Sequence, residues 1–364
     1  MPTSAVAPDR YQELLDQKVE HVKSLFTSLY QGDFDIVPSQ KTAFRMRAEF
    51  KVWHDGDDLY YVMYKKGEPK KPYRIDEFLI ADQQIQDLMP AVLDAVRENQ
   101  ILRKKLFQVE FLTTLSGQKL VTLIYHRQLD DEWIEEAKEL EKTLGAMVIG
   151  RARKQHLVLT QDYVEEELTI FDQTFSYKQI EGGFTQPNAR VNEQMIMWAC
   201  DRAKGLSGDL LELYCGNGNF TLPLSKFSNK VLATEISKTS VRAAEYNIEK
   251  NKCENIRVAR LSSEEFTEVS NKTKETRRLP QEELSTYSFS SVFVDPPRAG
   301  LDDGTRDLVS NFEHIIYISC NPETLQRDLE ALSKTHTIER MAMFDQFPYT
   351  DHAESGAFLK RKQK

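Results

Sequence analysis

The chain has 364 residues, and because single cores usually stop growing near about 250 residues, this length predicts two domains. Its composition, 40% hydrophobic and 29% charged, excludes a disordered or fibrous protein. The formal net charge of −9 excludes a protein that binds nucleic acid nonspecifically through its overall charge, so any such binding needs a local basic surface.

The first periodic feature is an alternation of apolar and polar residues. Phe44, Met46, Ala48, Phe50 and Val52 occupy every second position, which predicts a strand, and Leu59 to Tyr64 predicts its hairpin partner. Residues 41–75 hold nine Lys or Arg against five acids, a local charge of +4. The side chains predicted to bind RNA on the basic face are Arg45, Arg47 and Lys51; an ordinary solvated sheet face is the alternative.

The elements that follow divide the chain at Gly182-Gly183. Before it, strands at 107–112, 120–125 and 148–151 and a helix at 131–144 predict an α+β domain over residues 1–183. After it, short apolar runs at 210–213, 231–234, 256–259, 292–294, 315–318 and 341–344 alternate with helices. This alternation predicts an α/β domain over residues 184–364, in which helices cover both faces of a parallel sheet. The polar residues between 268 and 287 are predicted to form a surface segment.

A glycine turn follows the first strand of the second domain. Gly216 and Gly218 allow close approach of a ligand, but residue 221 is Thr, whereas a dinucleotide site would have a third glycine there. A phosphate-free adenosine cofactor therefore fits better than NAD. Glu235 ends the next strand, 19 positions after Gly216, where an acid can bind both ribose hydroxyls. The alternatives are a packing role for Tyr214 and a helix-capping role for Glu235.

Two further predicted strands end in residues that could take part in a reaction. Asp295-Pro296-Pro297-Arg298, by itself, fits a methyltransferase that acts on an exocyclic amino group. Cys320 lies between a strand and a helix capped by Asn321 and started by Pro322, and a helix N-terminus is predicted to lower the thiol pKa.

A nucleophilic thiolate suits one difficult methyl acceptor, carbon 5 of a uridine. Addition of the thiolate to carbon 6 makes carbon 5 nucleophilic, and a base must then remove the carbon 5 proton. Glu354 is the candidate base, and His352 is its rival.

Together these motifs resemble the TrmA branch of RNA uracil-5-methyltransferases, which make ribothymidine in the T-loop of tRNA. The resemblance spans nearly the whole chain and rests on Tyr-Cys-Gly-Asn-Gly-Asn, Asp-Pro-Pro-Arg, Ser-Cys-Asn-Pro-Glu-Thr and Arg-Met-Arg-Ala-Glu-Phe. It implies S-adenosyl-L-methionine as cofactor, Cys320 as nucleophile and Glu354 as base. Implied cofactor contacts are Gln186, Tyr214, Asn219, Glu235 and Asp295, with Gly216 in the turn.

The resemblance also bears on the RNA. It implies that Phe107 stacks on loop nucleotides, and Arg298 is a further RNA-binding candidate. Ribosomal-RNA relatives have an additional N-terminal barrel and an iron–sulfur cysteine cluster; neither is found in this sequence, which favours the T-arm of tRNA and other RNAs with a T-loop-like fold. The chain departs from the family at Asp351-His352-Ala353-Glu354-Ser355, where His-His-Met-Glu-Cys is expected, so the base is kept and its neighbours differ.

The remaining expectations concern the other cysteines and the setting of the protein. Cys200, Cys215 and Cys253 are far apart in sequence and form no metal-binding spacing, so no metal site is expected. No apolar stretch approaches the roughly 18 residues of a membrane span, which predicts a cytoplasmic protein without membrane contact. A monomer is a separate expectation. A noncatalytic RNA-binding or RNA-folding protein, which would tolerate loss of Cys320, is the alternative from another class.

Overall fold

The computed structural model describes residues 6–65, 67–68 and 71–363. Its strands are β1 (Phe34–Val37), β2 (Arg47–Asp55), β3 (Asp58–Tyr64), β4 (Pro72–Ile75), β5 (Leu106–Thr113), β6 (Lys119–Tyr125), β7 (Met147–Ala152), β8 (Gln155–Val158), β9 (Tyr163–Ile170), β10 (Gln173–Ile180), β11 (Asp209–Leu213), β12 (Val231–Thr234), β13 (Ile256–Ala259), β14 (Phe289–Val294), β15 (His314–Ser319), β16 (His336–Phe344) and β17 (Glu354–Arg361).

The α-helices are α1 (Tyr11–Leu25), α2 (Gln83–Glu98), α3 (Gln100–Arg103), α4 (Asp131–Leu144), α5 (Ala189–Ala203), α6 (Thr221–Leu224), α7 (Lys238–Lys250), α8 (Ser263–Ser270), α9 (Gln281–Leu284), α10 (Asp303–Val309) and α11 (Pro322–Leu332). Short 3-10 helices cover Pro8–Arg10 and Ser225–Phe227. Within the ranges given above, no helix is long and apolar enough to cross a membrane.

The chain forms two compact units. The first contains Met1–Tyr11, Gln40–Glu167 and Lys178–Ala189, and the second contains Gln12–Ser39, Leu168–Tyr177 and Arg190–Lys364. This differs from the predicted single boundary after residue 183. The units interleave because β1, from the N-terminal region, pairs with β16 and so belongs to the sheet of the second unit.

The first unit is built on a mixed sheet with strand order β4-β3-β2-β5-β6-β7-β8. Its strands are antiparallel except for β6 and β7, and α4 supplies the crossover that a parallel pair needs. Asp130 caps α4 by accepting a hydrogen bond from the Trp133 amide, and Trp133 is fully buried.

The predicted hairpin is confirmed by the pairing of β2 and β3, and every second residue from Phe44 to Val52 is buried. Lys66 and Lys70, counted in the basic window, lie outside the described residues.

The second unit contains a sheet with strand order β1-β16-β17-β15-β14-β11-β12-β13. Every residue of β11 and β12 is buried, as expected for strands that are covered on both faces. The pairs from β15 to β13 are parallel, but β17 is antiparallel to both β15 and β16. This reversal was not predicted; it follows from the helix-free loop between β16 and β17, which is too short for a crossover.

The predicted strands of this unit are confirmed, with β12 and β13 found at the predicted residues and the others extended by one to five residues at one or both ends. Helix α11 also begins as predicted: Asn321 accepts a hydrogen bond from the Glu323 amide, Pro322 is the first helical residue, and Leu325, Leu329 and Leu332 are buried. The sheet thus brings the ends of β11, β12, β14 and β15 to one edge, where open α/β sheets bind ligands.

Candidate active site

Cys320 and Glu354 lie side by side at the edge of the second unit's sheet. Ser319, the last residue of β15, is the register partner of Ser355 in β17. Cys320 follows Ser319 and Glu354 precedes Ser355, so the antiparallel pairing makes Cys320 and Glu354 neighbours. Opposite residues of such a pair have Cβ atoms about 4.5–5.5 Å apart. The topology therefore brings together two residues that are 34 positions apart in sequence.

The thiol of Cys320 has a raised pKa. Burial and the nearby carboxylates of Glu354 and Asp295 raise the pKa of Cys320 to about 11, against an ordinary value of 9.0. The predicted lowering of this pKa by the α11 N-terminus is therefore wrong, because desolvation and the two acids raise the pKa. Arg298 acts in the opposite direction and lowers the pKa of Cys320. The free protein therefore carries a protonated thiol at neutral pH.

Two carboxyl groups share this site. Burial raises the pKa of Asp295, and burial together with the charge of Asp295 raises the pKa of Glu354. The Glu354 side chain is buried, and Asp295 is partly buried at the end of β14. A buried acid with a raised pKa becomes a strong base once it ionises, so the environment of Glu354 suits proton abstraction.

The side chains of Arg298 and His352 meet at the same edge. An Arg298 Nη2 atom lies 3.3 Å from Nδ1 of His352, and both side chains are exposed. His352, the rival base, thus occupies a solvated position, whereas Glu354 is enclosed. Arg298 also lowers the pKa of Glu354, so its charge acts on both members of the pair.

The glycine turn and Glu235 are directly connected. The Gly216 amide donates to one Glu235 carboxylate oxygen at 3.0 Å, and the Ser237 amide donates to the other at 2.7 Å. Gly216 has a φ of 57°, and a Cβ at this position would meet no atom within 4 Å, so the turn is open on that side. Each carboxylate oxygen keeps a second lone pair, which leaves Glu235 able to accept from ligand hydroxyls.

Tyr214 and Asn219 also take part in the turn. Tyr214 has a φ of 64° and donates from its hydroxyl to Oγ of Ser263 at 2.7 Å. The side-chain amides of Asn219 and Asn192 exchange two hydrogen bonds of 2.9 Å each. Both predicted cofactor residues are therefore fixed at the carboxyl edge by partners from neighbouring elements.

Sequence reasoning missed Glu212, a buried acid in β11. Its side chain is 1% exposed, and burial raises its pKa to about 8. Its Oε2 accepts no hydrogen bond from any residue that the structure describes. The charge of Asp295 also raises the pKa of Glu212, so the two acids are electrostatic neighbours. The sequence feature that could have identified Glu212 is its position as an acid inside an otherwise apolar strand, just before the glycine turn.

The other predicted side chains belong to the first unit. Gln186 lies between β10 and α5 and is half-buried, and its cofactor contact stays a prediction. Burial lowers the pKa of Arg45. Arg47 donates to the Gly183 carbonyl oxygen at 2.7 Å and lies 3.7 Å from a Glu110 oxygen. Arg47 therefore has a structural role in the unit, in addition to its predicted role with RNA.

Lys51 and Phe107 come together in the first unit as part of an aromatic cluster. The Lys51 ammonium lies 5.2 Å from the ring centre of Phe107 and 5.1 Å from that of Tyr64. The Phe107 ring stacks on His126 at 4.1 Å. Tyr64 and His126 were not among the predicted residues. A cation beside stacked rings at the surface is suited to single-stranded bases and phosphates.

The chain matches known proteins over nearly its whole length. The family model described as tRNA (Uracil-5-)-methyltransferase matches residues 10–362. A Saccharophagus degradans protein named tRNA/tmRNA (uracil-C(5))-methyltransferase is 58% identical over 356 residues, covering 98% of each chain. A Vibrio parahaemolyticus protein of the same name is 50% identical over the full length of both.

The fold is also known from a solved structure. The crystal structure of a Pyrococcus abyssi tRNA (uracil-54, C5)-methyltransferase in complex with S-adenosyl-L-homocysteine matches with a TM-score of 0.72. The match covers 96% of this chain and 83% of that one, at 19% sequence identity. This similarity supports the α/β methyltransferase fold.

Proposed function

This chain belongs to the tRNA (uracil-5-)-methyltransferase family, and on that premise we propose that it methylates carbon 5 of a uridine in the T-loop of tRNA through a covalent Cys320 adduct. The observation that carries the proposal is the pairing of Ser319 with Ser355, which makes the thiol of Cys320 and the carboxyl of Glu354 neighbours. A nucleophile and a base with raised pKa are the two groups that the reaction requires.

S-adenosyl-L-methionine fits the carboxyl edge of the second unit and would supply an electrophilic methyl group there. We assign Glu235 to the ribose hydroxyls, because its oxygens keep free lone pairs beside an open glycine turn. Tyr214, Asn219 and Asp295 complete the site at the ends of β11 and β14. The contact of Gln186 with the cofactor is part of the same proposal.

The residues of the chain then act in sequence on the uracil ring. The Cys320 thiol loses its proton to solvent, and its sulfur bonds to carbon 6, which moves the electron pair of the C5–C6 double bond to carbon 5. Carbon 5 bonds to the methyl group, whose bond to the sulfonium sulfur would break and leave its electron pair on that sulfur as a neutral thioether. The ionised Glu354 then removes the carbon 5 proton, the double bond reforms, and the bond between carbon 6 and sulfur breaks to release Cys320.

We assign RNA binding to the aromatic cluster of the first unit and to Arg298. Phe107 and His126 offer a stacking surface and Lys51 a cation, which together suit unpaired loop bases. The uridine must leave its stack to reach Cys320, as enzymes that act on nucleobases require. The names of the relatives support tRNA and tmRNA as substrates, and both belong to the proposal.

A trapping experiment tests the covalent step. tRNA containing 5-fluorouridine should form a stable adduct with the wild-type protein and cofactor, because fluorine cannot leave as a proton. The Cys200→Ala protein should also form it, since Cys200 is buried away from the proposed chemistry. Cys320→Ala should form none, and an adduct with Cys320→Ala would refute the assignment.

A second experiment addresses Glu354 and the site of methylation. Glu354→Gln should accumulate a covalent adduct with ordinary tRNA, because carbon 5 keeps its proton after methyl transfer. Mapping the methylated nucleotide should locate it in the T-loop, on carbon 5. Methyl groups found on an exocyclic nitrogen would instead support the reaction that Asp295-Pro296-Pro297 suggests on its own.

A further inference from the structure

Asp328 is a buried carboxylate on α11 that the proposed chemistry does not use. Its side chain is fully buried. One oxygen accepts from Arg306 and from two Arg327 nitrogens at 2.8 to 3.0 Å. The other accepts from the Leu301 amide at 2.9 Å and from the Tyr317 hydroxyl at 2.7 Å. Buried ion pairs contribute little net stability compared with apolar packing. We therefore examined which parts of the site this network holds in place.

The partners of Asp328 converge on the Arg298 loop, which we define as residues 297–301. Arg306 and Arg327 donate to the Leu301 carbonyl oxygen, and Arg327 also donates to that of Ala299. The loop closes on itself where the Gly300 amide donates to the Pro297 carbonyl oxygen at 2.8 Å.

The start of α11 holds the same loop. The Arg298 carbonyl oxygen accepts from Nδ2 of Asn321 at 3.1 Å and from Oγ1 of Thr324 at 3.2 Å. Gly300 packs directly against the network, with a φ of 73°, and a Cβ at this position would lie 2.6 Å from an Asp328 oxygen. The loop therefore has little freedom while Asp328 keeps its partners.

Asp328 also contacts the strand that leads to the nucleophile. Tyr317 lies in β15, three residues before Cys320, and its hydroxyl is bound to the same oxygen as the Leu301 amide. One carboxylate oxygen thus links the strand that presents Cys320 to the loop that presents Arg298.

We propose that Asp328 is a positioning residue that holds the Arg298 guanidinium against Cys320 and Glu354. The inference rests on the proposed function, since it assigns the cation that opposes the acids of that site. The charged groups that face Cys320 are Glu354 from β17, Asp295 from the end of β14 and Arg298 from its loop. Displacement of Arg298 would leave the two acids without an opposing cation and disfavour the thiolate.

The test compares Asp328→Asn with Glu330→Gln, which removes one charge from an exposed position of the same helix. Cys320 of the full-length protein is alkylated with iodoacetate and with iodoacetamide, and the modification of Cys320 is followed by mass spectrometry. A nearby cation favours the anionic reagent, whereas thiol ionisation and access affect both reagents. We expect the iodoacetate to iodoacetamide rate ratio to fall roughly threefold or more in Asp328→Asn and to stay unchanged in Glu330→Gln.

A second variant tests the same proposal if Asp328→Asn does not fold. Gly300→Ala keeps the sequence of α11, but its Cβ would lie 2.6 Å from an Asp328 oxygen and 2.7 Å from an Arg327 nitrogen, so it should displace the loop and lower the ratio in the same direction. Arg298→Gln gives the value that corresponds to loss of the cation. A wild-type ratio in folded Asp328→Asn, or in Gly300→Ala, would overturn the proposal.

Turnover provides an independent readout. We expect Asp328→Asn to lower kcat for tRNA methylation severalfold and to raise KM for tRNA no more than Arg298→Gln does, because Asp328 is buried and would act on the RNA only through the Arg298 loop. Alkylation is measured without RNA, so its result can be separated from the 5-fluorouridine experiment. If the 5-fluorouridine adduct fails to form but the iodoacetate to iodoacetamide rate ratio still falls in Asp328→Asn, the covalent mechanism is wrong and the positioning role of Asp328 remains.

Discussion

Glu212→Gln should make the stability of the protein less sensitive to alkaline pH. Glu212 is buried in β11, and its pKa is raised from 4.5 to about 8, mainly by burial. An acid with a raised pKa in the folded state binds its proton more tightly there than in the unfolded chain. The folded state therefore loses stability as pH rises from the unfolded pKa towards the folded one, and the loss levels off above it.

The size of the effect follows from the two pKa values. Between pH 6 and pH 9, ionisation of Glu212 should cost about 2 to 3 kcal/mol of the free energy of unfolding. Gln cannot ionise and has nearly the same shape, so the variant should not show this loss. The difference in stability between Glu212→Gln and wild type should consequently grow with pH in favour of the variant.

Urea unfolding at pH 6, 7.5 and 9, followed by intrinsic fluorescence, measures this difference. Two units can unfold separately, so the comparison is made between variants, in which contributions from the unchanged residues cancel. Glu330→Gln, at an exposed position, should follow the wild-type pH dependence. If Glu212→Gln and wild type change in parallel from pH 6 to 9, Glu212 is not the buried acid that we describe.

Three further predictions concern the nucleophile, the ion pair between α1 and the end of β16, and the RNA. With a pKa of about 11, Cys320 should react with iodoacetamide at pH 8 about tenfold more slowly than a model-peptide thiol of ordinary pKa, because its thiolate fraction is about a hundredfold smaller but each thiolate is a stronger nucleophile. An equal rate would contradict the raised pKa. Lys18→Met should destabilise the fold by about 1 to 3 kcal/mol, because it removes the 2.7 Å charge-assisted hydrogen bond between Lys18 and the buried Asp345, and a thermal midpoint equal to wild type would count against this. Phe107→Ala removes the ring stacked on His126 and should weaken tRNA binding by about 1 to 3 kcal/mol in a filter-binding titration, with unchanged affinity excluding a stacking role.

Local sequence patterns predicted the β2–β3 hairpin and most strands of the second unit's sheet, whereas β1, β4 and β8 to β10 were not predicted. Alternation predicted the β2–β3 hairpin, and Asn321-Pro322 predicted the start of α11, because a strand period and a helix cap are properties of neighbouring residues. The N-terminal boundary could not be predicted in this way. β1 joins the second unit by pairing with β16, a contact about 300 residues away that leaves no local signal.

The same distinction applies to the site. The sequence by itself predicted which groups would do the chemistry, since Cys320, Asp295 and the glycine turn each follow a predicted strand and Glu354 precedes the last one. Only the tertiary structure decided their ionisation. The α11 N-terminus predicted a low pKa for Cys320, but the antiparallel strand β17 places Glu354 beside it, and burial then removes the water that would screen the two groups. A pKa depends on every charge within a few ångströms, and those neighbours are set by the packing of distant segments.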